Sequence, residues 1–231
     1  GAHFERAVGD KGNNQGLMTQ SGASYDHKAL EPVTNMQDTV IERFALEKFS
    51  SIADVPFASP HEAAADLLAG LDRKQKAELA TVTIDSAGKG QDKKQVTITL
   101  RDHGCGITPA DVPRTIFQLG AGQKNGVDWL QGTFGVGGAT TYRNAKAVIL
   151  ITRRRPEFLA TGEPDVITVA VVQWGRRLTT TNATYLVTKP WDESSPATWA
   201  AARPLHIPAG EYPDFDPGTH LCLVGYESTS L

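Results

Sequence analysis

Between Ser24 and Phe49 the apolar positions Leu30, Val33, Val40, Ile41, Phe44, Ala45 and Phe49 recur at spacings close to one helical face, which predicts a long first helix. A loop over Ile52 to Pro60 leads to a second helix, started by Ser59 or Pro60 and buried along Ala64, Leu67, Leu68 and Leu71. After Ala80 the period changes to two. Thr81 to Asp85 and Val96 to Arg101 alternate apolar and polar residues around a Gly, Lys and Asp turn, the pattern of a hairpin. Further strands are expected at Lys146 to Thr152, Asp165 to Trp174, Leu178 to Val187 and Thr219 to Tyr226, with Trp174 to Arg177 turning one hairpin. Pro190 to Pro217 reads as a long surface excursion. Two helices followed by strands predict an α+β, two-layer sandwich: a mostly antiparallel mixed sheet with helices on one face. Gly1 to Gly22 has no apolar period and reads as a flexible N-terminal arm of residues 1–22, leaving residues 23–231 as one domain.

Composition narrows the function classes. The 231 residues are 40% hydrophobic, enough for one sizeable core, and the net charge of −3 gives no overall field toward nucleic acid or an anionic membrane. No apolar run approaches the length of a bilayer span, so no membrane partner is expected. Two cysteines, Cys105 and Cys222, make neither a disulfide framework nor a zinc cluster and favour a cytoplasmic setting.

Three segments carry candidate chemistry. Glu31, Asn35 and Asp38 fall at i, i+4 and i+7 of the first helix, with Asn35 about 40° to one side of Glu31 and Asp38 about 20° to the other at about 100° per residue, and so share a stripe. A carboxylate, a carboxamide and a second carboxylate in one row suit proton acceptance from a water, donation of an amide oxygen to magnesium, and support of the water network around both. Asp102-His103-Gly104-Cys105-Gly106-Ile107 follows the strand ending at Arg101, and its alternate glycines allow close approach of a flat ligand, with Asp102 as acceptor for an amino group such as that of adenine. Gly132 to Tyr142 contains Phe134, Gly135, Val136, Gly137 and Gly138 ahead of an expected helix start, an arrangement that offers backbone amides to phosphate. It is not a Walker A loop, because no Gly-Lys-Ser or Gly-Lys-Thr follows. Each segment alone is common in proteins.

Their order together resembles the ATP site of the GHKL superfamily, the group of gyrase B, the large heat-shock chaperone, histidine kinases and MutL: Glu-x-x-x-Asn-x-x-Asp, then Asp-x-Gly-x-Gly-Ile, then a Gly-x-x-Gly-x-Gly loop. Phe134 to Gly137 is similar to the chaperone branch, and Gly218-Thr219 matches the family's Gly-Thr pair at the last strand. The resemblance implies a Bergerat ATP-binding fold that binds and hydrolyses ATP with Mg2+. Glu31 would be the general base, Asn35 the metal ligand and Asp102 the adenine contact, supported by Thr219. Gly104, Gly106 and Ile107 would lie by the base. Lys124 would touch phosphate from a lid spanning Thr108 to Gln131, and Gly135 to Gly138 would present amides to the phosphates. It also implies further domains of the same chain and an ATP-dependent homodimer. An ATP-sensing or structural module with little hydrolysis is the alternative.

Three positions depart from the family pattern. Pro32 follows the base directly, so the helix either starts near Glu31 or is kinked there. Thr39 stands where relatives prefer alanine, and Gly138 where the chaperone branch has an aromatic residue. Arg153-Arg154-Arg155 and Arg176-Arg177 read as solvated turns at strand ends or contacts to nucleic acid.

Overall fold

The computed structural model describes residues 2–6, 25–85, 95–112, 127–131, 144–177, 180–188 and 203–227. Among these residues three α-helices, α1 (Tyr25–Phe49), α2 (Pro60–Leu67) and α3 (Arg73–Glu78), accompany eight strands. The strands are β1 (Ala2–Arg6), β2 (Ala80–Asp85), β3 (Gln95–Asp102), β4 (Ala147–Arg153), β5 (Val166–Arg177), β6 (Thr180–Thr188), β7 (Arg203–Pro208) and β8 (Gly218–Glu227). They form one sheet in the order β1-β6-β7-β5-β4-β8-β3-β2, with every described pairing antiparallel. The α+β character and antiparallel sheet agree with the sequence pattern, while no parallel pair supplies the mixed component among the described strands.

Strict alternation builds the core. Val96, Ile98 and Leu100 of β3 and Val148 and Leu150 of β4 are buried, and the residues between them are only half-buried. Met36 and Val33 of α1 pack with this face, together with Ala170, Val172, Leu223 and Tyr226, and the long helix lies over the β3 and β2 end of the sheet. A smaller cluster joins the second half of α1 to α2: Ala45, Ala63, Trp129 and Leu130 are buried with Ile41, Phe57 and Leu67 around them. Phe49 and Phe57 add an edge-to-face contact with centroids 5.8 Å apart.

Local chemistry sets the helix ends. Ser59 caps α2 by accepting from the Glu62 amide at 3.3 Å, with Pro60 in the first turn, as the sequence indicated. Ala63, not Ala64, is its fully buried residue. The short α3 was not expected. It is fixed by a capping box in which Asp72 accepts from the Gln75 amide at 2.8 Å and Gln75 accepts from the Asp72 amide at 2.9 Å.

Helix α1 begins at Tyr25, close to the expected start, so of the two alternatives at Pro32 the helix start near Glu31 is excluded and the proline lies inside the helix. Three expectations are corrected. Trp174 to Arg177 do not turn; they continue β5, whose backbone ladder with β6 runs from Val172 opposite Tyr185 to Arg177 opposite Thr180. Arg203–Pro208, within the expected excursion, is strand β7 and pairs with β5 from Val166↔Pro208 to Val169↔Leu205. Ala2–Arg6, read as part of an irregular arm, pairs with β6. Both strands are short, and Pro204 and Pro208 in β7 read as strand breakers; the partner strand supplies their ladder.

Candidate functional site

The alternation that buries Val96, Ile98 and Leu100 also places Asp102, the last residue of β3, on the helix-facing side, where it is 5% exposed. The register then draws a polar row across four strands: Asp102 opposite Thr219, Thr219 opposite Thr152, and Thr152 opposite Thr168. One pair of positions deeper, the equivalent row is Leu100, Leu221, Leu150 and Ala170. The apolar core therefore ends in a line of hydroxyls, buried at Thr152 and Thr168 and half-buried at Thr219, and one buried carboxylate.

Thr152, fully buried, is the junction of that line. Its hydroxyl donates to the Gly218 carbonyl at 2.9 Å, accepts from the Ile107 amide at 3.0 Å, and lies 3.2 Å from the Thr219 hydroxyl. A hydroxyl carries one proton, so the proton between the two threonines comes from Thr219. Thr219 is thereby oriented with lone pairs directed away from Thr152. The sequence did not single out Thr152, although a threonine at the buried parity of Ala-Val-Ile-Leu-Ile-Thr-Arg was a readable signal.

The loop after Asp102 is held at both ends of its peptide units. Asp102 Oδ1 accepts from the Gly104 amide at 2.9 Å, and the Thr39 hydroxyl accepts from the Cys105 amide at 3.2 Å. The amide of His103 donates to the Leu79 carbonyl at 2.9 Å. On the carbonyl side, Arg43 donates to His103 O at 3.0 Å, Arg155 to His103 O at 3.2 Å and to Gly104 O at 3.0 Å, and Arg154 to Gly106 O at 3.1 Å. The Arg155 amide donates to Cys105 O at 3.0 Å. Gly106 has φ +66°, and a Cβ there would overlap the Arg153 carbonyl oxygen, so only glycine lets the two chain segments run this close. Thr39 occupies the space beside Gly104, where a Cβ would collide with its methyl and hydroxyl groups, and its hydroxyl adds a hydrogen bond to this loop.

The three consecutive arginines are consequently not solvated turn residues. Arg153 makes a paired contact to Asp165 at 3.0 and 2.8 Å and donates to Phe215 O at 2.7 Å, an arrangement that holds its proton more firmly than usual, through the Asp165 hydrogen bond first. Arg154 also stacks on Phe158 at 5.5 Å. Of Arg176 and Arg177 the backbone alone is described, within β5.

On α1 the stripe predicted from spacing divides into two. Asp38 is 2% exposed, and its Oδ1 accepts from the Gln131 amide at 2.9 Å. Glu31 and Asn35 are half-buried, and neither side chain makes a hydrogen bond among the described residues. Asp38 therefore ties down the chain immediately before Gly132, while Glu31 and Asn35 keep the polar part of the stripe. Ile107 packs against the main core rather than standing open, with its amide on Thr152. The far end of the expected lid, Trp129 and Leu130, is anchored in the cluster between α1 and α2. Thr108 accepts from the Asp111 amide at 3.3 Å and donates to its carboxylate at 2.8 Å, which fixes the near end. Lys124, Phe134, Gly135, Val136, Gly137 and Gly138 lie outside the described residues.

Titration behaviour follows burial. The Cys105 thiol is pushed up to about 12, by desolvation first and then by the Glu42 carboxylate, so it is a protonated packing residue and not a nucleophile. His103 and His220 are both lowered, by burial first and then by the Arg101 guanidinium, with Asp216 opposing. No group of three or more His, Cys, Asp or Glu side chains is placed to hold a metal ion among the described residues. No protein-family model matches this chain, and no curated protein matches it in sequence. No helix among the described residues is long and apolar enough to cross a membrane.

Proposed function

We propose that this chain is a GHKL-type domain of the Bergerat fold that binds ATP with magnesium and hydrolyses it. The observation that carries this reading is the buried Asp102 carboxylate at the end of β3, in register with Thr219 and followed by a loop folded tightly at Gly106. A buried carboxylate oriented by the Gly104 amide at the rim of a core is suited to an exocyclic amino group, and a neighbouring hydroxyl completes a polar edge for a purine. Asp102 and Thr219 come from positions 117 residues apart in the chain and meet only through the sheet.

Asn35 would hold the magnesium ion through its amide oxygen. One side-chain ligand is sufficient, because Mg2+ keeps much of its shell as phosphate oxygens and water. The ion would neutralise charge on the transferring phosphoryl group. Glu31, one turn earlier on the same stripe, would accept the proton of the attacking water. Asp38 holds Gln131, and through it the start of the segment that would present Gly135 to Gly138 to the phosphates. The thiols, both unbridged, fit a reducing cytoplasm. Further domains in the same chain, and dimerisation on ATP binding, belong to the same proposal.

Pro32 inside α1 favours a second reading, a sensor that binds ATP with little turnover. A proline in a helix interior removes the hydrogen bond to the carbonyl four residues earlier, and this one sits next to the base it would aim. Calorimetric titration with ATP and magnesium, on wild type and Asp102→Ala, tests the common part: binding by wild type that is lost in the variant is expected, and no binding by wild type sinks both readings. Turnover that disappears in Glu31→Ala distinguishes the enzyme from the sensor.

A further inference from the structure

We infer that Arg155, assisted by Arg43, is a positioning residue that sets the base selectivity of the Asp102 site, an inference that rests on the ATP reading above. The connection is a single peptide unit. Its carbonyl, that of His103, accepts from Arg43 at 3.0 Å and from Arg155 at 3.2 Å; its amide, that of Gly104, donates to Asp102 Oδ1 at 2.9 Å. The orientation of the Asp102 carboxylate is thus fixed from the carbonyl side by two guanidinium groups.

The next unit is held in the same manner. Its carbonyl, Gly104 O, accepts from Arg155 Nε at 3.0 Å, while its amide, that of Cys105, donates to Thr39 at 3.2 Å. The third carbonyl, Cys105 O, accepts from the Arg155 backbone amide at 3.0 Å. Arg155 therefore engages three consecutive carbonyls, and its side chain is 13% exposed, which shields these bonds from competition by water. Glycine at positions 104 and 106 gives the loop the freedom to rotate its peptide planes at little steric cost. The guanidinium contacts remove that freedom.

Base discrimination depends on the restraint. Adenine offers an amino group where guanine offers a carbonyl oxygen. A fixed carboxylate accepts from the first and repels the second. Rotation of the His103-Gly104 peptide withdraws the amide from Asp102 and releases the carboxylate to turn, and it exchanges an N–H for a C=O beside the base. Either change lets a guanine oxygen find a donor or avoid the carboxylate, so the cost of the wrong base falls.

The test measures the affinities of ATP, GTP and inorganic tripolyphosphate for wild type, Arg155→Ala, Arg155→Lys and Arg43→Met, with thermal unfolding alongside. The expected result for Arg155→Ala is a preference for ATP over GTP reduced about tenfold or more, the loss appropriate to charge-assisted hydrogen bonds, with tripolyphosphate affinity unchanged. Arg43→Met, which removes one bond of the pair on His103 O, shifts the preference in the same direction by less. Arg155→Lys keeps the charge without the planar fork and falls between wild type and alanine, and it carries the test if the alanine variant does not fold. Equal weakening of all three ligands, or an unchanged preference in the folded variants, overturns the inference and leaves the ATP reading standing. Failure of the wild type to bind ATP overturns the ATP reading itself, before any variant is compared.

Discussion

Asp38 and the backbone amide of Gln131 meet at 2.9 Å across 93 residues of sequence, joining the middle of α1 to the chain just before Gly132. Asp38 is buried, so removing its oxygen leaves the Gln131 amide without that acceptor away from bulk water. Asp38→Ala is expected to cost about 1–3 kcal/mol of stability, whereas Asp38→Asn, which keeps an acceptor oxygen, loses less. Urea unfolding of the three proteins checks the order; equal midpoints for wild type and Asp38→Ala would remove the tie from the account.

Gly106→Ala is expected to be among the most damaging single-methyl changes in the domain. The left-handed φ and the overlap of a Cβ with the Arg153 carbonyl add, for a loss of roughly 3 kcal/mol or more. Gly162→Ala makes the comparison, because Gly162 also has positive φ but has no atom within 4 Å of its Cβ direction. Thermal melts that show the two variants equally affected would mean that the close approach of Arg153 is unimportant.

Cys105 is expected to resist alkylation in the folded protein. Its thiol is buried and held protonated by desolvation, with a value of about 12, so the reactive thiolate is scarce at neutral pH. Mass spectrometry after iodoacetamide treatment should find Cys105 unmodified until denaturant is added. Rapid labelling of Cys105 in the native state would contradict its placement.

Stability is expected to fall as pH drops below about 6.5. His103 and His220 have lowered values in the folded state, through burial and the nearby Arg101 guanidinium, so the unfolded chain takes up protons first as the solution is acidified. The sign is fixed: a base with a lowered value contributes no penalty above the unfolded value and a growing one below it. Melting temperatures from pH 7.5 to 5.5 should decline, and the decline should be shallower in His103→Asn/His220→Asn. Parallel slopes in the two proteins would assign the acid sensitivity to other groups.

Much of the architecture was legible because burial repeats with the period of the backbone. The span of α1, the β2–β3 hairpin and the strands β4, β5, β6 and β8 follow from spacings of 3.6 or 2 alone. Strands β1 and β7 were not legible, since each is short, β7 carries two prolines, and their hydrogen bonds are completed by a strand distant in sequence. The hairpin between β5 and β6 was misplaced by a Gly-Arg-Arg signal that the persistent pairing of β5 overrides.

The sequence by itself determined which residue types were present for chemistry: the Glu31, Asn35 and Asp38 stripe, the Asp102 to Ile107 turn and Thr219, because local spacing fixes what shares a helix face or a strand end. Tertiary structure alone decided their division of work. It placed Asp38 on Gln131, while the Glu31 and Asn35 side chains make no hydrogen bond among the described residues. It aligned Thr219 and Thr152 beside Asp102, and it turned Arg43, Arg154 and Arg155 onto the loop carbonyls. The physical reason is that a buried carbonyl or amide must find a partner wherever the fold provides one. Partners drawn from elements tens of residues apart leave no periodic trace in the chain.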